Sequence, residues 1–187
     1  MRTVKLFLLV IIFIFPFNNT WGCDCLWGGS FLHSINESDI IFIGEIIDYD
    51  NYSFIERGDT SFYYPSVMIV KIKEILMLKE NKFTVSDFMK PNRPVRVLGN
   101  IKSNCRPNVS KFKLGSKWVF KMQKAEKYNY FNIDLIVFNC ATNYLKIENE
   151  KVFGNIEGEN QKMKQDGVNI EMSIAELRKK IVALSKE

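Results

Sequence analysis

Four cysteines constrain this chain more than any other feature. They are Cys23, Cys25, Cys105 and Cys140, and all four follow an amino-terminal stretch with the layout of an export signal. Arg2 and Lys5 make a positive start, Leu6 to Phe17 is apolar apart from Pro16, and Thr20 and Gly22 stand at the −3 and −1 positions of a cut before Cys23. The apolar run is shorter than the roughly 20 residues a spanning helix needs and is interrupted by proline. The reading is a cleaved signal over residues 1–22 and a secreted or periplasmic chain with no later membrane span. A lipid-carrying Cys23 is the main variant, although Thr20 and Trp21 fit a lipoprotein signal poorly.

An even number of cysteines in an exported chain points to disulfides. Four cysteines allow three pairings. A Cys23–Cys25 bridge across one residue is strained, so each of these two is expected to reach a distant partner, and two pairings remain. A bridge closing so long a loop adds about 4 kcal/mol in the chain-entropy account.

Hydrophobic residues make up 47% of the 187 and charged residues 25%, the balance of a globular chain long enough for one domain. The net charge of +5 falls to +3 once Arg2 and Lys5 leave with the signal. That mild excess gives no support to nucleic-acid binding.

The pattern along the chain is mainly β. Phe31 to Asn36 is read as a short helix. Strands are expected at Asp39–Asp48, with Gly44 marking a bulge or bend, and at Val67–Leu76, Pro94–Leu98, Lys117–Gln123 and Phe131–Cys140. Asp50–Tyr64 reads as a hairpin tip or mobile loop, and Leu114-Gly115-Ser116 as a turn. Ile147–Gln165 is polar without periodicity. Ser173 opens a capping box with Glu176, and Ile174, Leu177, Ile181 and Leu184 recur at helical spacing, predicting a helix over Ser173–Leu184 packed on the strands. Five strands with turns between suit a small barrel or sandwich.

The order of these features resembles the netrin-like domains, whose best-known members are the tissue inhibitors of metalloproteinases, and in particular their bacterial secreted branch. The residues that carry the likeness are Cys-x-Cys after the signal, the SDIIFIGEI strand, Val67 to Leu76, Cys105, FKLGSKWVF at Phe112–Phe120, and Cys140-Ala-Thr. It covers Cys23 to about Leu145 and implies a five-stranded OB-fold barrel with flanking helices, occupying residues 23–146, with 147–187 as a polar segment and terminal helix. It also implies disulfides Cys23–Cys105 and Cys25–Cys140.

In those inhibitors the free amine and carbonyl of the first cysteine chelate the protease zinc at its open position and displace the hydrolytic water. Carried over, Cys23 is the chelator of a zinc belonging to the protease, Asp24 enters the specificity pocket, Cys25 fixes the segment and Leu26 continues the ridge. The animal inhibitors place a small residue where this chain has Asp24, and a carboxylate entering an apolar pocket costs desolvation unless paired.

Other readings follow from the residues themselves. Cys23, Cys25 and His33 are a conceivable metal site, but the usual zinc spacings are missing. There is no G-x-S-x-G, H-E-x-x-H or phosphate-binding glycine loop, so no enzymatic activity and no cofactor are expected. Tyr49, Tyr52, Phe54, Phe62, Tyr63 and Tyr64 either form a patch for a protein partner or close one end of the barrel. A non-inhibitory binding or structural module is the alternative function. Asn36, Asn51 and Asn108 fit the glycosylation sequon.

Overall fold

The computed structural model describes residues 29–57, 60–82, 94–99, 109–125, 134–136, 142–158 and 170–185. The signal segment, all four cysteines and most of the fifth expected strand lie outside them.

The chain is built around a long antiparallel hairpin. Strand β1 (Ile40–Arg57) pairs with β2 (Thr60–Leu78) from Ile40↔Leu78 to Arg57↔Thr60. Then come β3 (Val95–Leu98), β4 (Lys117–Lys124), β5 (Leu135–Ile136), β6 (Tyr144–Glu148), β7 (Lys151–Gly154) and β8 (Ile170–Ser173), followed by helix α1 (Ile174–Leu184). The sheet order is β1-β2-β3-β5-β4-β6-β7-β8, and β4 also pairs with β1. The first five strands therefore close into a barrel, with β3 and β5 parallel.

Alternation along the strands makes the barrel interior. Ile40, Phe42 and Ile46 of β1 meet Met68 and Val70 of β2, Val95 and Val97 of β3, and Phe120 and Met122 of β4. Burying each such side chain stabilises by about 1.5–3 kcal/mol. Gly44 allows the wall to bend. The β1–β2 register shifts between Ile43 and Gly44, and a Cβ at Gly44 would stand 2.5 Å from Val70 Cγ1, so no larger residue fits.

A second core covers the outside of the same wall. Ile41 and Ile43 of β1 and Val119 of β4 pack with Phe31, Leu32 and Ile35 from the segment before β1, with Leu145, Val152 and Met172 of the strands that follow the barrel, and with Ile174, Leu177 and Ile181 of α1. The helix begins as its sequence dictates, with Ser173 Oγ accepting the Glu176 N–H at 3.1 Å. Its apolar stripe packs inward, with Leu184 partly buried.

Asp50–Tyr64 takes the hairpin alternative and not the loop: its described residues continue β1 and β2 as a two-stranded ribbon. Two expectations need correction. The region read as polar and aperiodic from Ile147 starts within β6 and continues into β7. It turns at Asn149 and Glu150, whose φ values of 49° and 61° are those of a two-residue type I′ hairpin. β6 hydrogen-bonds to β4 and runs through residue 146, so the sheet is continuous across it. The helix expected at Phe31–Asn36 is instead a turn followed by a 3-10 turn at Ile35–Glu37. The expected strands at Val67, Pro94 and Lys117 lie within β2, at β3 and at β4. Among the described residues no helix is long and apolar enough to cross a membrane.

Candidate functional site

The residues expected to act, Cys23 to Leu26, lie outside the described part, as do the expected bridges to Cys105 and Cys140. What is described is the root that follows that segment, from Gly29 onward.

At the root, Gly29 has φ +97°, a conformation that favours glycine. A Cβ there would meet His33 Cδ2 at 2.4 Å. The Gly29 carbonyl accepts the Thr142 N–H at 3.1 Å, and the N–H groups of Phe31 and Leu32 donate to the carbonyls of Asn155 and Ile156, each at 3.0 Å. Phe31 and Ile35 drive the attachment by burying their side chains in the outer core. Downstream, Asp39 N–H donates to the Met122 carbonyl at 2.9 Å, and Lys79 Nζ donates to the Asn36 carbonyl at 2.6 Å.

Beneath the segment lies Lys121 of β4, fully buried. Its Nζ donates to the Phe31 carbonyl at 2.9 Å and to Ser34 Oγ, and stands 5.2 Å from the centre of the Phe31 ring. Burial pushes this ammonium down to about 7, against the opposing charge of Glu37. Sequence reading missed Lys121. The alternation of KWVFKMQ puts it on the outer face with Lys117, where a lysine is ordinarily solvated. The covering segment arrives from ninety residues earlier, which no local pattern records.

Beside the root is a cleft of about 500 Å³, lined by Ser30, Leu32, His33, Glu157, Lys180 and Leu184 among others. Lys180 pairs with Glu157 at 2.5 Å across its rim, and that hydrogen bond raises the lysine pKa. His33 is exposed. Among the described residues no three His, Cys, Asp or Glu side chains gather as a metal site.

Of the aromatic group, Tyr49 closes the barrel. It packs on the inner core and its hydroxyl donates to the Phe112 carbonyl. Phe112, Trp118 and Tyr144 stack edge to face at the same end, with centroids 4.8–5.9 Å apart. Burial raises the Tyr49 and Tyr144 pKa values. The others sit on the ribbon at pairs Ser53↔Tyr64, Phe54↔Tyr63 and Ile55↔Phe62, with Tyr52 on the same stretch of β1.

No family model, curated protein or solved structure matches this chain.

Proposed function

We propose that the chain is an exported, netrin-like OB-type barrel that inhibits a metalloprotease through the free amine and carbonyl of Cys23. The strand order β1-β2-β3-β5-β4, closed by β4 on β1, agrees with such a barrel. The observation that carries the reading is the Gly29 to Thr142 hydrogen bond. It brings the chain four residues after Cys25 beside the chain two residues after Cys140. Extended backbone covers at most about 3.6 Å per residue, so this contact is compatible with a Cys25–Cys140 bridge. A Cys25–Cys140 bridge there would hold Cys23 at the end of a short, stiff ridge, and a chelator ordered in advance loses little entropy on binding.

The test begins with the amino-terminal sequence and intact mass of the exported protein, before and after reduction. The expected result is a terminus at Cys23 and a mass lower than the reduced form by the hydrogens of two disulfides. The protein is then titrated against a panel of zinc endopeptidases, next to a variant with one alanine added before Cys23. Inhibition by the parent and none by the extended form supports chelation. Equal inhibition by both rules it out.

The ribbon favours a second reading. Beyond Asp50, β1 pairs with nothing but β2 among the described residues, and this projection suits a non-inhibitory protein-binding module. A folded chain with a free Cys23 amine that leaves every peptidase active would favour it.

A further inference from the structure

Three neighbouring strands set a row of charge on the outside of the barrel. Glu45 of β1 pairs with Lys71 of β2 on one side and with Lys117 of β4 on the other. Cross-strand partners share a face. Lys73 reaches the same carboxylate at 2.6 Å. The hydrogen bond and charge of Lys73, followed by the charges of Lys117 and Lys71, hold the Glu45 carboxyl below its usual range. One carboxylate among three exposed lysines leaves the row positive.

The turn before β4 is fastened to this edge. Ile46 N–H donates to the Ser116 carbonyl at 3.1 Å, and Gly115 N–H donates to the Ile46 carbonyl at 2.8 Å. Phe112 anchors the turn in the inner core, fully buried, and leaves its neighbours Lys111 and Lys113 exposed. Leu114 is 59% exposed, and Ile47, next to the residue that holds the turn, is 43% exposed. Asp48, beside Ile47, is an exposed carboxylate. Among these described residues, five lysines stand against two acids around two aliphatic tips.

Lysines alone would attract any polyanion. Two exposed aliphatic side chains beside them add an apolar contact that a soluble polyanion does not use. A protein partner asks for a contiguous apolar centre, whereas a bilayer takes isolated tips, with anionic headgroups matching the surrounding ammonium groups. We propose that this edge docks peripherally on an anionic lipid bilayer, with Leu114 and Ile47 entering the interface between the lysines of the row and those of the turn. The inference is independent of any protease inhibition.

Sedimentation of the full exported protein with vesicles tests it. Phosphatidylglycerol mixed into phosphatidylcholine is compared with phosphatidylcholine alone, at low and high salt. Binding is expected on the anionic vesicles only and weakens with salt. Each lysine near such a surface contributes about fivefold in partitioning, so Lys111→Glu with Lys113→Glu lowers binding at least about tenfold, and Leu114→Ser lowers it severalfold. Circular dichroism checks that each variant is folded, and Lys71→Gln with Lys117→Gln gives the same reading from the strands. No binding, equal binding to neutral vesicles, or binding that survives charge reversal in folded variants overturns the proposal. So does a Leu114→Ser chain that binds as well as the parent, since the patch would then recognise a soluble polyanion or an acidic protein.

Discussion

The ammonium of Lys121 lies 2.9 Å from the carbonyl oxygen of Phe31, ninety residues earlier in the chain. This contact joins the barrel wall to the segment that leads to Cys25, and the burial of the ammonium beneath that segment makes stability depend on pH. The lysine titrates near 7 when folded and near 10.5 when unfolded. Between these values the unfolded chain binds the extra proton, so stability rises with pH across that window, by on the order of 3–5 kcal/mol. Below about 7 both states are protonated and the slope vanishes. Urea unfolding midpoints measured across the window are expected to climb in the parent and to flatten in Lys121→Met.

Gly29→Ala attacks the same junction from the backbone. The substitution puts an L side chain at φ +97° and against the His33 ring. A loss of about 1–3 kcal/mol is expected, read by denaturant titration. A change within about 0.3 kcal/mol would mean that the root relaxes freely and holds nothing in place.

Much of the barrel was legible in the residues, and the reasons are physical. Phe42, Ile46, Val70 and Phe120 sit in strongly apolar stretches because they fill a closed interior. The Ser173–Glu176 capping box marked α1 because a helix start must satisfy its own N–H groups. The β6–β7 hairpin was not legible. Leu145, Ile147 and Val152 are its few inward residues, and lysines and glutamates stand between them because its other face is wet. The far ends of β1 and β2 were legible only as a hairpin tip or a mobile loop, because a ribbon beyond the barrel is specified by backbone pairing and not by a core. The candidate site was legible only as cysteine spacing and family likeness. Its root, made of Gly29, Lys121, Thr142 and Asn155, is an assembly of distant segments with no local pattern.

Glu150→Gly is expected to stabilise. Glu150 holds φ 61° in the two-residue turn, where an L residue other than asparagine is strained. Its carbonyl, which accepts the Ile174 N–H at 3.2 Å, is kept in the variant. A gain of about 0.5–1 kcal/mol should appear as a higher melting temperature, and a decrease would mean that the Glu150 charge acting on Arg178 matters more than the strain.

Asp24→Thr bears on the proposed inhibition. A carboxylate carried into an apolar pocket costs desolvation, and a small hydroxyl does not. Peptidase inhibition is expected to strengthen about tenfold or more, equivalent to roughly 1.4 kcal/mol or more. An unchanged inhibition constant would mean that the pocket supplies a partner for the acid, or that Asp24 never enters it.

The wall shared by the two cores sets the order in which the chain can mature. Ile41 and Ile43 on β1 precede most of the core residues in the chain, yet their cover includes Leu177 and Ile181 of α1, 134 to 140 positions later. A nascent chain therefore keeps one side of β1 wet until α1 has emerged. Folding of such a molecule is a late event that follows delivery of the carboxyl-terminal helix, and contacts of that sequence separation form slowly.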